Sequence, residues 1–450
     1  MAIPSGGAGQ AQSPFLGSAP AGRATGTTLD LSLKDAIALA LRYNLGGIES
    51  EQNTRAARAA RLRGLNALLP NLSAGLAASE NQINLRAQGF NPSIPGVAIP
   101  TLVGPFSVND ARAYLSGEIL NWSDLKNWKA ATETERASQD SYKSDRNLVV
   151  FTAGEAYLLV ISDGATVDSV RAQVKTSQTL LENDLDLHEH GLIANIDLLR
   201  ARVEYQTQQQ RLIAAENQLA IDKLGLARVI GLPSGQDYRL ADAAPYAPLA
   251  AITLSQALEQ AYATRPDYLA ATASVRAAEL SLEGAAAENY PSLSTAANYG
   301  DIGSPSFGSS HGTFSAGVTL SIPIFQGTRV RAAKLQADAV LEQRRAELGD
   351  LGGRIDQQVR TAFFNLKSSS ELVTVARSNI DLANQTLSQA RDRFRAGVAD
   401  NLEVVQAQES VATANQSYIA SLYSFNLAKL SLSLAMGVAE ESALQYLGMR

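Results

Sequence analysis

The sequence predicts a mixed fold in which long α-helical coiled coils are joined to a transmembrane β-barrel, built from two tandem repeats. Three features lead to this prediction: an internal duplication, apolar heptads in long runs, and short stretches of alternating residues between those runs. A seven-residue repeat held over many turns is typical of a coiled-coil seam. A two-residue alternation is typical of β-strands, so both element types are expected in each repeat.

The duplication is visible as two ordered sets of matching residues. The segment "LSLKDAIALALRYN" at Leu31 matches "ITLSQALEQAYATR" at Ile252, and later Gly191 of "GLIANIDLL" falls on Gly397 of "GVADNLEVV". Matches in the same order at two distant places indicate two copies of one unit. We therefore predict repeat 1 over 31–231, an equatorial linker over 232–251, repeat 2 over 252–437 and a C-terminal equatorial segment over 438–450.

The first thirty residues have a composition unlike the rest of the chain. They are rich in Gly, Ala, Ser and Pro and carry no basic segment followed by an apolar one, which a secretion signal would have. We predict a disordered N-terminal tail over residues 1–30.

Each repeat contains one predicted β-hairpin. In "TFSAGVTLSI" apolar and polar residues alternate, and a strand of about ten residues has the length of a transmembrane β-strand. The polar face of the repeat 1 hairpin carries Arg112 and Glu118, as expected of a wet lumen. A water-soluble sheet with one face against a core would show the same alternation. The predicted strands are about 71–83 and 111–122 in repeat 1, and about 292–302 and 313–325 in repeat 2.

Aromatic residues lie at the predicted junctions between strands and helices. Trp122, Tyr290 and Phe325 occupy places where the aromatic girdle of a barrel would lie, although they could also be core side chains. Four strands cannot close a transmembrane barrel, which has about eight at the least. The barrel must then be shared among chains, and the residues leave open eight strands from two chains or twelve from three.

Two long helices are predicted, one in each repeat, over about 124–189 and about 329–395. Runs of this length measure about 100 Å at 1.5 Å per residue, which does not fit inside a compact domain. Each run ends in a tip turn, predicted over 190–196 and 396–402. In these turns Gly191 and Gly397 can take the left-handed conformation that ends a helix, and Asn195 and Asn401 are predicted to cap the next helix.

Composition argues against several classes of function. The net charge is -6 and Lys and Arg form no block, so we expect no nucleic-acid partner. The absence of cysteine excludes disulfides and thiolate chemistry, and His188 and His190 at i, i+2 lack a third metal ligand. No stretch approaches the 18 or so consecutive apolar residues of a membrane helix, so a membrane crossing would use strands. We predict no enzymatic activity, no catalytic residues, no cofactor and no metal.

Several motifs together resemble the TolC-type outer-membrane efflux channels, also called outer membrane factors. They are the duplicated repeat starts, "LLPNLS" with "NYPSLS", the "LSIPIFQGTR" strand-to-helix junction and the two tip turns, over about Leu31 to Gly437. The resemblance implies a homotrimer with a twelve-stranded outer-membrane β-barrel, four strands per chain, continuous with a long periplasmic α-helical barrel. It implies a place in the outer membrane of a Gram-negative bacterium, in contact with outer-membrane lipid and extending into the periplasm.

The resemblance also implies the function. Such a channel is the passive exit duct of a tripartite efflux or type I secretion system, coupled to an inner-membrane pump through a periplasmic adaptor (membrane fusion) protein. The pump could be of the RND, ABC or MFS class, and the resemblance does not identify the exported substrate. From the residues alone, a soluble periplasmic coiled-coil scaffold with a small capping sheet is the alternative.

Finally, the resemblance assigns roles to residues near the tip turns. In the family, acidic residues just inside the turn form a constricting, cation-binding ring. Glu403 holds the first such position and Gln406 departs from the pattern at the second, while repeat 1 offers Asp197 and Arg200. Independently, Glu403 and Asp197 could be first-turn carboxylates that favour a helix N-terminus. The implied adaptor-contact residues are Gly191, Leu192, Ala194, Asn195, Gly397, Val398, Ala399 and Asn401.

Overall fold

The computed structural model describes residues 13–20, 22–89, 96, 100–242, 247, 252–303, 311–399 and 401–448. The chain divides into two compact units, and each takes segments from both repeats. The first unit comprises Met1–Thr54, Ser138–Ala270 and Leu348–Arg450, and the second comprises Arg55–Ala137 and Ala271–Glu347.

The helices are α1 (Leu33–Tyr43), α2 (Leu45–Asn66), α3 (Trp122–Glu189), α4 (Asn195–Ile230), α5 (Leu254–Thr264), α6 (Pro266–Ala287), α7 (Arg329–Arg395), α8 (Asn401–Ala435) and α9 (Ala439–Leu447). The strands are β1 (Leu29–Leu31), β2 (Asn71–Asn84), β3 (Leu102–Leu120), β4 (Tyr238–Leu240), β5 (Ser292–Gly303) and β6 (His311–Ser321).

Helices α1 and α5 hold equivalent places in the two repeats and begin in the same way. In α1 the Ser32 hydroxyl accepts a hydrogen bond from the Asp35 N–H, and the Asp35 carboxylate accepts one from the Ser32 N–H. Thr253 and Gln256 form the same reciprocal pair at the start of α5. This capping box satisfies backbone donors that a helix start leaves free, so the duplicated sequence specifies both starts locally.

Buried apolar side chains of the first unit form three clusters. One gathers α1, α3, α4 and α9 around Leu33, Tyr157 and Leu226, and a second gathers α5, α7 and α8 around Val359 and Phe425. The third lies near the ends of α3 and α7 and consists of Leu180, Ala201, Leu387, Ala390, Val404 and Ala407. Buried residues at spacings of seven, such as Val359, Leu366 and Val373, form the seam of α7.

Among the described residues, α3 alone is long and apolar enough to cross a membrane by length and composition. Its side chains Val149, Val150 and Tyr157 are fully buried in the first cluster. Packing within the first unit therefore accounts for part of the apolar character of this helix.

The predicted disordered tail is wrong for the part that the structure describes, residues 13–20 and 22–30. Here Pro14–Leu16 forms a short 3-10 helix, and β1 pairs in parallel with β4. The Ser18 hydroxyl donates to the Arg228 carbonyl at 2.5 Å, and the Thr25 N–H donates to the Gln236 side-chain oxygen at 2.7 Å. Small polar residues suggest disorder by composition, but here distant partners satisfy their hydrogen bonds.

The second unit contains a four-stranded antiparallel sheet in the order β2-β3-β5-β6. The β3–β5 pair joins the hairpin of repeat 1 to that of repeat 2. The register places apolar residues of all four strands side by side on one face, because Leu72 pairs with Leu115, Leu115 with Ala297 and Ala297 with Ala316. The opposite face is mostly polar and carries Ser73, Arg112, Tyr114, Ser116, Glu118, Asn298, Ser315 and Thr319.

Three strand boundaries differ from the predictions. Strand β3 begins at Leu102 rather than 111, because "LVGPFSVND" pairs with β2 although its residues do not alternate. Strand β6 runs from His311 to Ser321 rather than over 313–325, and Pro323, which has no N–H to donate, follows it. Trp122 is the first residue of α3 instead of the last of a strand, since the Asn121 side chain accepts from the N–H groups of Ser123 and Asp124.

Candidate functional site at the two tip turns

The two tip turns have the same backbone conformation. Gly191 and Gly397 have φ of 70° and 71°, in the left-handed region that strongly favours glycine. In the first turn the Gly191 N–H donates to the His188 carbonyl at 2.9 Å, and the Leu192 N–H donates to the Leu187 carbonyl at 2.8 Å. The second turn has the equivalent bonds, Gly397 N–H to Phe394 O at 3.0 Å and Val398 N–H to Arg393 O at 3.1 Å. Both long helices thus end in a Schellman motif.

The predicted N-cap roles of Asn195 and Asn401 are wrong. Asn195 is the first residue of α4, and Ala194 holds the cap position without a side-chain hydrogen bond. Asn401 is buried in the first turn of α8, and its Nδ2 donates to Asp184 Oδ2 at 2.5 Å and to the Asp197 carbonyl at 3.4 Å. A cap would need the Asn401 Oδ1 to accept from its own helix start, and this oxygen has no hydrogen-bond partner among the described residues. The partners of the Asn401 Nδ2 are distant in sequence.

Each turn presents large apolar side chains to solvent. Leu192 is 70% exposed and Val398 is 67% exposed, and both directly follow the left-handed glycine. Ala194 is also exposed, and Ala399 is half-buried. The end of each long helix therefore carries apolar surface that is accessible to solvent.

The predicted gate residues have partners within the chain. The Glu403 carboxylate lies 3.1 Å from the Arg393 guanidinium, and the Asp197 carboxylate lies 3.1 Å from the Arg200 guanidinium. Gln406 is exposed on α8. Both carboxylates lie in the first turn of their helices, where a negative charge also interacts favourably with the helix dipole.

Sequence reasoning missed Asp184, a fully buried carboxylate near the end of α3. Burial raises its pKa to about 6, the negative charge of Asp197 raises it as well, and the hydrogen bond from Asn401 lowers it. Asp184 lies four residues after Leu180 and three before Leu187, so it occupies a place in the apolar seam. A charged residue at that spacing was the signal that could have identified it.

The three predicted interface aromatics are accessible in the second unit. Trp122 and Tyr290 are about half-exposed, and Phe325 is 89% exposed. Such exposure disfavours the interpretation of Phe325 as a core side chain.

Comparison with known proteins gives concordant results. A family model described as "Outer membrane efflux protein" matches residues 48–232 and 257–438. The chain is 24% identical over 340 residues to the alkaline protease secretion protein AprF of Pseudomonas aeruginosa, covering 74% of this chain and 70% of AprF. It is 22% identical over 349 residues to the outer membrane protein TolC of Escherichia coli K12, covering 71% of this chain and 68% of TolC.

The fold is shared with a solved outer membrane protein. The structure of VceC from Vibrio cholerae aligns with a TM-score of 0.75 at 18% identity, covering 90% of this chain and 96% of VceC. Because the family model covers most of both repeats, the chain belongs to the outer membrane efflux protein family.

Proposed function

We propose that the chain is the exit channel of an export system, assembled as a homotrimer with a twelve-stranded β-barrel to which each chain gives four strands. As a member of its family the protein lies in the outer membrane of a Gram-negative bacterium and extends into the periplasm. Its relatives are outer-membrane efflux and secretion channels, and the soluble-scaffold alternative is not favoured. The family is one of transport channels, and we propose no catalytic role.

The observation that carries the proposal is the two-faced sheet. On its apolar face Leu76, Phe314 and Val318 are 84%, 71% and 62% exposed, whereas a sheet packed on a core would bury such side chains. The other face is polar: the Arg112 guanidinium pairs with the Asp110 carboxylate, and Glu118 lies on the same face. Lipid outside and water inside a barrel account for both faces.

The edges of the sheet support assembly from several chains. Among the described residues β2 and β6 each pair on one side only. An unpaired strand edge in lipid leaves backbone N–H and C=O groups without partners, so β2 and β6 must pair with other chains. Three chains give the twelve strands of the proposed barrel.

The tip turns are the proposed contact with a periplasmic adaptor protein, which couples the channel to an inner-membrane pump of the RND, ABC or MFS class. The exposed Leu192 and Val398 side chains supply apolar surface for that contact. Asp197, Arg200, Glu403 and Gln406 form the proposed constriction. Three-fold symmetry gathers three copies of each side chain there, and the three Glu403 carboxylates attract cations.

The substitution Glu403→Ala tests the channel and its constriction together. We expect a larger single-channel conductance in a planar bilayer, or weaker block by Mg²⁺, because three negative charges leave the narrow part of the pore. The control is Glu409→Ala, which removes a carboxylate on the same helix that pairs with Arg211 at 2.8 Å. Currents that stay unchanged in the Glu403 variant, or change equally in the control, would contradict the assigned constriction.

A further inference from the structure

A buried polar junction lies just inside the tip turns and holds three helices of the first unit. Asp184 of α3 is 0% exposed and Asn401 of α8 is 1% exposed. The Asn401 amide nitrogen bonds to the Asp184 carboxylate and to the Asp197 carbonyl of α4. One side chain therefore joins the end of α3 to the starts of α4 and α8.

The junction leaves two oxygen atoms without hydrogen-bond partners among the described residues, Asp184 Oδ1 and Asn401 Oδ1. They belong to the same two side chains that already share the Nδ2–Oδ2 bond. Both are acceptors, so neither can satisfy the other while Asp184 is ionised. Buried acceptors without donors are costly, as is a buried carboxylate without a cation partner.

A single proton removes both costs. When Asp184 carries it on Oδ1, that O–H can donate to Asn401 Oδ1 while Asn401 Nδ2 donates to Asp184 Oδ2. The result is a closed two-point pair between a carboxylic acid and an amide, with no net charge in the buried site.

We propose that Asp184 is protonated in this pair, so that the junction of α3, α4 and α8 is a pH-sensitive latch, which is stable in acid and loosens when Asp184 loses its proton. This inference rests on the proposed function in that the tips form the gate.

The charged surroundings do not supply a counter-ion that would keep Asp184 ionised at acid pH. From α4, Asp197 faces it and pairs with Arg200, and on α8 Glu403 pairs with Arg393. A groove of about 720 Å³ beside Asp184 is also lined by Lys175 and Asp186 of α3 and by Arg391 and Arg395 of α7. Among the described residues Asp184 forms no ion pair with these cations.

The direction of the pH effect follows from the raised pKa. The ordinary value of an Asp carboxyl is 3.8, and in the folded junction the value is about 6. The folded junction thus holds its proton more tightly than the unfolded chain. Its stabilisation is complete below about pH 4 and is lost as the pH rises through about 6.

Spin labels can measure the latch directly, because the chain contains no cysteine and labels attach only where cysteine is introduced. We would label Leu192→Cys and Val398→Cys in full-length trimers diluted with unlabelled chain, and measure the distance distribution at pH 5 and pH 8. We expect a narrow distribution at pH 5 that broadens at pH 8, with a midpoint near pH 6. Asp184→Asn should stay narrow at both pH values, because two amides can form the same two-point pair without charge.

The control is Asp186→Asn, which makes the same substitution at an exposed carboxylate two residues away on α3 and should keep the wild-type pH response. An unchanged distribution in the wild type between pH 5 and 8, or a full response in Asp184→Asn, would overturn the latch. If Asp184→Asn does not form trimers, infrared difference spectra of the wild type decide instead: a protonated carboxyl band lost near pH 6 supports the latch and its absence contradicts it. The spin-label and infrared measurements do not depend on ion conduction. An absence of conductance would therefore contradict the proposed channel without contradicting the latch.

Discussion

The substitution Val318→Lys should prevent the protein from assembling in the outer membrane. Val318 lies on the apolar face of β6 and is 62% exposed, so in the proposed barrel it faces lipid. A lysine near the middle of the bilayer costs about 2–4 kcal/mol per chain, and the trimer carries three copies. Fractionation of cell envelopes should show little trimer in the detergent-extracted outer membrane.

The adjacent residue provides a matched control. Thr319 lies on the opposite, polar face of the same strand, so Thr319→Lys should place its ammonium in the lumen and leave assembly close to the wild type. Equal amounts of trimer for both variants would contradict the assignment of the two faces. If both variants lose the trimer equally, β6 tolerates no charge on either face, and this result would also contradict the assignment of Thr319 to the lumen.

The substitution Gly300→Val should separate the two hairpins. Gly300 of β5 pairs with Arg112 of β3, and a Cβ at this position would lie 2.0 Å from the Ala111 carbonyl oxygen and 2.7 Å from the Arg112 Cα. These are backbone atoms, so the strands themselves must move apart, at a cost of about 3 kcal/mol. Because this strand pair joins the hairpins of the two repeats, trimer yield and thermal stability should fall together.

A second glycine in the same sheet separates the clash with the neighbouring strand from the general effect of replacing glycine by valine in a strand. A Cβ on Gly317 of β6 would meet no atom within 4 Å, so Gly317→Val should assemble normally. Measurement of the heat-resistant trimer on a gel compares the two variants. Similar yields for both would contradict the close approach of β3 and β5 at Gly300.

The fold was predictable where a periodic pattern extends over many residues. Heptads in α7 and alternation in β6 depend on local sequence, and the duplication allowed each repeat to be checked against the other. The start of β3 at Leu102 was missed because "LVGPFSVND" does not alternate and is a strand only through its pairing with β2. The packing of residues 13–20 and 22–30 was missed for a similar reason, since Ser18 and Thr25 bond to partners more than 200 residues away.

In the candidate site, too, features that depend on local sequence were predicted and features that depend on distant partners were not. Gly191 and Gly397 were predicted correctly to end their helices, because a left-handed helix end is a local requirement. Asn401 was assigned to its own helix start, whereas its side chain bonds to Asp184, 217 residues away in sequence. Local propensity could not reveal that partner, although the position of Asp184 in the apolar seam of α3 indicated that the residue was unusual.

Conductance of the purified protein in a planar lipid bilayer tests the central claim most directly. Protein extracted in detergent from the outer membrane should insert in discrete steps of one size, and each step should represent one trimer acting as a passive pore. Recovery of the wild-type chain in the buffer-soluble envelope fraction, with no conductance steps after addition to the bilayer, would contradict the account.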